Sequence, residues 1–174
     1  MREALPVRTP KGMNAFVFNT RRPHFADARV REALGLLFDF DWVNRNLYAG
    51  SMRRTASFFE GSDLASTGRP ASQGERRLLA GLPVRPDILE GRWTPPAAEP
   101  GAERAAAREA LRLLGEAGWV LQGGTLRRRE GGEPFAFEIL VSSRAQERLV
   151  LNYAGALGRI GIAARVRVVD DVQY

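Results

Sequence analysis

The sequence contains no cysteine and a single histidine, His24. Without thiols there is no disulfide, no thiolate metal ligand and no cysteine nucleophile. A lone imidazole excludes a multi-histidine metal site, and it would complete a triad only with a serine and a carboxylate that the sequence does not place beside it. Lysine is nearly absent: Lys11 is the only one, so the formal net charge of +6 is carried by arginine. The arginines are scattered, with Arg29, Arg31, Arg45, Arg76, Arg104, Arg148 and Arg165 in separate segments rather than in one basic block. The densest run, Arg127-Arg128-Arg129, is followed by Glu130 and borders glycine-rich sequence, so it reads as a solvated loop. No apolar run approaches the roughly 20 residues that span a bilayer, and MREALPVRTPKGM lacks the apolar centre of a signal peptide. The glycine patterns GxGxxG, GxxxxGK with Ser or Thr, and GxSxG are also missing, which argues against a phosphate-cradling loop and a nucleophile elbow.

What is present is an ordinary globular composition of 174 residues, 44% hydrophobic and 26% charged. That length suits one domain burying about 70% of its unfolded surface. Met13 to Phe18 is apolar except for Asn14 and reads as a strand covered on both faces. Pro23 disfavours helix at Arg22, and Asp27 is placed to cap the helix that follows. In that helix Val30, Ala33, Leu34, Leu37 and Phe38 keep the spacing of a core-facing stripe. A second helix is expected from a cap at Asp39 or Asp41, with Phe40, Val43 and Leu47 inward and Gly50 past its end. The stretch 61–101 holds Pro70, Pro83, Pro86, Pro95, Pro96 and Pro100. Its irregular part, 69–100, reads as a surface segment within the domain, with one short helix near Glu75–Leu79.

From Ala102 to Ala117 the pattern is helical, with Ala107, Ala110, Leu111 and Leu114 on one stripe. A hairpin follows, Trp119–Leu121 and Thr125–Arg128 about Gly123-Gly124. Phe135–Val141, a helix opened by Ser143 and Gln146 as a capping box, and Ile162–Val169 form a strand–helix–strand unit, whose strands should pair in parallel. The fold class is therefore α/β, a mixed or parallel sheet flanked by helices.

Convergent titratable groups are scarce. Asp39 and Asp41 sit where caps sit, and Asp170-Asp171 closes a strand. The aromatics Phe16, Phe18, Trp42, Phe58, Phe59 and Trp119 fall at core positions, not in the basic–aromatic alternation of a single-strand nucleic-acid platform. No catalytic residue, metal ligand or cofactor is assigned. One ligand-binding candidate remains, the loop Phe18-Asn19-Thr20-Arg21-Arg22, which leaves an expected central strand at the end where open α/β sheets hold ligands. Asn19 offers a donor and an acceptor to a peptide backbone, and Arg21 or Arg22 could grip a carboxylate or phosphate bidentately. The plainer alternative, which the residues alone favour, is that Asn19 serves its own loop and the arginines face water.

The order FNTRRPHFADARVREAL, FDFDWVNRNLYAG and RTASFF, followed by GSDLASTG, LRLLGEAGWVL, GEPFAFEILVSS and LGRIGIAARVRVVDDVQY, resembles the extracellular solute-binding proteins of family 5, the peptide/nickel class. Within it the chain is most similar to Yej-type subunits of ABC importers for peptides and the peptide–nucleotide antibiotic microcin C. The resemblance implies one lobe of a periplasmic-binding-protein-like fold (type II, cluster C), a fragment of a longer two-lobed receptor that closes on its ligand. It further implies a periplasmic setting, a peptide or peptide-conjugate ligand, membrane permease subunits as partners, a monomeric state, no nucleic acid and no catalysis. It places the family's aspartate for the ligand amino terminus beyond Tyr174. The competing reading, resting on net charge alone, is a basic nucleic-acid-binding module.

Overall fold

Aspartates and prolines in front of apolar-periodic stretches set the first helices. The computed structural model describes residues 8–97 and 101–170. Helix α1 (Pro23–Ala26) starts on a proline, whose missing N–H costs nothing at that position. Asp27 then caps α2 (Ala28–Leu36), accepting the Arg29 N–H at 2.9 Å. Asp39, not Asp41, caps α3 (Phe40–Leu47) through the Trp42 N–H at 2.8 Å. Ser72 and Glu75 form a reciprocal capping box on α4 (Gln73–Leu78), and a further turn, α5 (Pro86–Leu89), was not anticipated. Helix α6 (Glu103–Glu116) leads into the hairpin β1 (Trp119–Gln122) and β2 (Thr125–Arg128). Gly123 and Gly124, with φ of 55° and 78°, supply the two positive dihedrals that a two-residue hairpin turn of this hand needs. Strand β3 (Ala136–Val141), helix α7 (Arg144–Gly158) and strand β4 (Ala163–Val168) complete the order.

Strands β3 and β4 pair in parallel, from Ala136 opposite Ala163 to Val141 opposite Val168, as the strand–helix–strand pattern requires. Strands β1 and β2 pair antiparallel. The two ladders are stitched by backbone hydrogen bonds, Leu126 N–H to the Gly161 carbonyl and Phe135 N–H to the Leu126 carbonyl, both 2.8 Å. Ser143 caps α7 through the Ala145 N–H, so the expected box with Gln146 is replaced by a shorter side-chain turn.

The described residues fall into two compact units, one of residues 8–16 and 53–95, the other of 17–52, 96–97 and 101–170. In the second, α2 packs on α6, and α7 covers β4 and β3. Val30, Ala33, Leu34 and Leu37 are buried, as are Ala110, Leu114, Phe135, Val150 and Leu157. Phe38, Leu111 and Val166, expected in the core, are only half-buried. The α6 stripe runs through Ala106, Ala110, Leu113 and Leu114, displaced from the expected one at Ala107 and Leu111.

Two expectations fail. Met13 to Phe18 forms no strand, and Val17 is 91% exposed. A strand exists only through ladder partners, and the ladders among the described residues join β1 with β2 and β3 with β4. Of the aromatics expected at core positions, Trp42, Phe58 and Phe59 are exposed rather than buried.

Candidate functional site

Asn19 opens a tight turn. Its side-chain oxygen accepts the Arg21 N–H at 3.2 Å, and its carbonyl accepts the Arg22 N–H at 2.9 Å. The side-chain oxygen of Asn19 thus accepts within its own loop. Arg22 takes the N-cap position of α1 in an extended conformation, and its carbonyl accepts the Phe25 N–H at 2.9 Å. The guanidinium groups of Arg21 and Arg22 are exposed, and neither forms an ion pair among the described residues. Other basic groups nearby are structural. Arg31 donates to the Phe25 and Ala26 carbonyls at 2.7 and 2.8 Å, closing the end of α1. Arg29 bonds the Asp27 carboxylate at 2.6 Å, which holds that carboxyl below its ordinary pKa.

The turn delivers the chain into an aromatic cluster that the sequence did not announce. The His24 ring lies 5.5 Å from Phe25, 5.8 Å from Phe135 and 6.4 Å from Trp119. Trp119 and Phe135 are both buried, with ring centroids 4.2 Å apart. The Arg128 guanidinium stands 4.6 Å above the Trp119 ring, a cation–π distance. Arg128 is thus not part of a solvated loop: it lies in β2, directly opposite Trp119. Its neighbours are also engaged, Arg127 with the Gly132 carbonyl and Arg129 with that of Gly115. The signal was available, because a two-residue turn at Gly123-Gly124 fixes the register and so places residue 128 across from residue 119. His24 has its pKa lowered, first by burial and then by the positive charges of Arg128 and Arg22.

A concavity lies among α2, α3, α6 and α7, with a volume of about 310 Å³. Its walls carry Ala106, Ala156 and Ile160, with Asp39, Glu103 and Arg159 as charged groups. The Asp39 carboxylate is occupied in capping α3. Among the described residues no three His, Asp or Glu side chains converge as metal ligands, and no helix is long and apolar enough to cross a membrane. Asp171 of the acidic pair lies outside the described residues.

The family profile described as bacterial extracellular solute-binding proteins, family 5 Middle, matches residues 3–174. A Brucella suis protein, whose name specifies binding but no ligand, is 53% identical over 169 residues, covering 95% of this chain and 27% of its own length. The peptidoglycan-binding protein YepA of Agrobacterium fabrum is 39% identical over 177 residues, 100% of this chain and 29% of its own. A second A. fabrum protein, named "Probable peptide-binding protein YejA", is 39% identical over 178 residues, 99% and 29% respectively. Among solved structures, NikZ of Campylobacter jejuni in complex with Ni(L-His) superposes with a TM-score of 0.64 at 18% identity, covering 90% of this chain and 26% of its own. The oligopeptide-binding protein AppA of Bacillus subtilis, in complex with a nonapeptide, gives 0.60 at 17% identity, with the same coverages of 90% and 26%. These structures share the fold. The chain spans about a quarter of the length of the curated relatives it matches.

Proposed function

Because the chain belongs to the bacterial extracellular solute-binding proteins of family 5, we propose that it is one lobe of the substrate-binding subunit of an ABC importer for peptides or peptide conjugates. The match of the family profile to residues 3–174 carries this reading. The family is one of binding proteins rather than enzymes, and the proposed role needs no cofactor and no chemistry. The ligand acts by touching two lobes and so stabilising their closed arrangement. The names of the YepA and YejA relatives favour a peptide-containing ligand. A peptide–nucleotide conjugate of the microcin C kind is the narrower candidate. The setting is the periplasm, the partners are the importer's permease subunits, and the receptor works as a monomer without nucleic acid.

In this reading Asn19, Arg21 and Arg22 border the ligand, supported by the exposure of both guanidinium groups. Calorimetry on the longer receptor and on these 174 residues alone, with a graded set of peptides and a peptide–nucleotide conjugate, tests it. A micromolar receptor has about 8 kcal/mol of binding free energy, and losing half of it leaves millimolar affinity. The isolated chain is therefore expected to bind no tighter than millimolar. In the longer receptor, Asn19→Ala or Arg21→Ala weakens binding while the lobe stays folded. Micromolar binding by the isolated chain would overturn the half-site idea. Nucleic-acid binding with a steep salt dependence would replace the transport reading altogether.

A further inference from the structure

We propose that the concavity among α2, α3, α6 and α7 is a binding pocket for a small organic cation, an ammonium group on an apolar body. The pocket lies wholly within the unit of residues 17–52, 96–97 and 101–170, and it shares no residue with the Asn19 loop. Small side chains open it. Ala106 and Ala107 of α6 and Ala156 of α7 line it, whereas two turns further along α6 Leu113 and Leu114 are buried. Leu36, Leu37 and Ile160 form the rest of the apolar wall. Gaps between packed helices are ordinarily closed by side chains. The volume of about 310 Å³ left open here falls at the lower end of the range for small-molecule sites.

The charges in the wall select the ligand. The chain as a whole is strongly basic, at +6, yet the pocket is lined by two carboxylates, Asp39 and Glu103, against one guanidinium, Arg159. Just beyond the lining, the exposed Asp41 of α3 and Arg104 of α6 add one charge of each sign, so the local balance stays negative. The cap on α3, Asp39 Oδ1 accepting the Trp42 N–H at 2.8 Å, holds one carboxylate beside the residue whose indole also lines the pocket. Trp42 is 37% exposed, and an accessible indole is the best aromatic partner for a cation. An anion would meet the two carboxylates and the negative face of that ring. A neutral molecule would gain the apolar wall alone. Arg159, at the C-cap of α7, opposes a cation and so limits its affinity. Within a concavity these charges are screened less than in open water. The pocket needs neither the transport reading nor a second lobe.

Indole N–H resonances report the pocket by NMR. The chain has three tryptophans, and the signal missing from Trp42→Phe is that of Trp42. The chain is titrated at neutral pH and fixed ionic strength with 3-phenylpropylamine, 3-phenylpropan-1-ol and 3-phenylpropionate. These probes share one apolar body and end in a positive, a neutral and a negative group. The expected result is a saturable shift of the Trp42 signal, with the amine binding about threefold or more tighter than the alcohol and the carboxylate weakest. Glu103→Gln, an exposed change in the first turn of α6, reduces the amine's advantage over the alcohol, and Arg159→Gln increases it. Ala107→Phe, which fills the pocket, weakens the amine. The proposal is overturned if the amine gives no saturable Trp42 response, or if the alcohol or the carboxylate binds as tightly as the amine. It is also overturned if Glu103→Gln and Arg159→Gln both leave the amine's advantage unchanged, or if a folded Ala107→Phe binds the amine as well as the parent chain.

Discussion

The two units of the chain are held by different physics. Every buried hydrophobic side chain among the described residues lies in the unit of residues 17–52 and 101–170, from Phe25 to Val169. In the unit of residues 8–16 and 53–95 the one buried residue is a serine, Ser57. Its hydroxyl accepts the Phe59 and Ser66 N–H groups at 3.3 and 3.2 Å and meets the Ser66 hydroxyl at 3.3 Å. Glu60 adds a bond from the Thr67 hydroxyl at 2.8 Å. One unit is thus stabilised by removing apolar surface from water, the other by turns, caps and local hydrogen bonds. A net hydrogen bond contributes only about 1 kcal/mol, against 1.5–3 for a fully buried aliphatic side chain. The second unit should therefore set global stability, and the first should open at lower free energy.

The sharpest way to break this contrast is to truncate one apolar residue in each unit. Leu34, on the helix α2 that packs against α6, is fully buried, and Leu34→Ala is expected to cost about 2–5 kcal/mol. Leu78, on α4, is 82% exposed, and Leu78→Ala should change stability by less than about 0.5 kcal/mol. Chemical denaturation of the two variants decides between them. Equal costs would mean that the first unit has an apolar core of its own.

This difference also explains what the sequence revealed. The second unit was readable because its signals are local and redundant. Asp27 before an apolar stripe, Gly123-Gly124 between two short strands, and one helix between β3 and β4 each specify geometry over a few residues. In the first unit the sequence suggested only a short helix near Glu75–Leu79, and it formed as Gln73–Leu78 with Ser72 and Glu75 as its capping box. Met13 to Phe18 misled because an apolar run states what it would bury against and not whether a partner is there. The candidate site was half readable for the same reason. Asn19 and Arg22 belong to one local loop, whereas His24, Trp119 and Phe135 meet only through tertiary packing.

A backbone test ranks next. Gly91 has φ of +67°, and a Cβ added there would lie 2.4 to 2.7 Å from the backbone of Arg69. Backbone atoms cannot rotate away as a side-chain tip can. Gly91→Ala is expected to cost the first unit about 1–3 kcal/mol. Amide exchange should accelerate around 66–91, where the Ala71 N–H bonds the Leu89 carbonyl at 2.8 Å, while amides of α6 and α7 keep their protection. Acceleration across both units together would show that they unfold as one.

Single hydrogen bonds bring the two units to comparable size. Ser72→Ala removes the capping box of α4 and should cost about 1 kcal/mol, read as faster exchange at 74–76. Tyr153→Phe removes a buried hydroxyl that donates to the Leu34 carbonyl at 2.7 Å. That carbonyl keeps the Leu37 N–H at 3.3 Å, so the loss should stay near 0.5–1.5 kcal/mol. It should appear in global denaturation, because Tyr153 sits in the apolar core. If Ser72→Ala shifted the global transition as much as Tyr153→Phe, the division into a strong and a weak unit would be wrong.

The smallest expected effect is a response to pH confined to the second unit. His24 has a folded pKa below its ordinary value, through burial and then Arg128 and Arg22. Between the two pKa values the unfolded chain binds more protons, so stability rises with pH across that window. The contribution is complete above the unfolded value of about 6.5. It is lost as the pH falls through the folded pKa, where the imidazolium must form beside two arginines. The first unit contains no histidine. Its Glu75 and Asp87 have lowered pKa values, from hydrogen bonds with Ser72 and Arg85, so their contributions are lost only in more acid solution. Amide exchange at pH 7.5 and 5.5, corrected for intrinsic rates, should therefore show a slight loss of protection at 119–128 and none at 57–66. His24→Phe keeps an aromatic ring against Trp119 and removes the titration, so the loss at 119–128 should vanish. A loss that persisted in this variant would assign the pH response to some group other than His24.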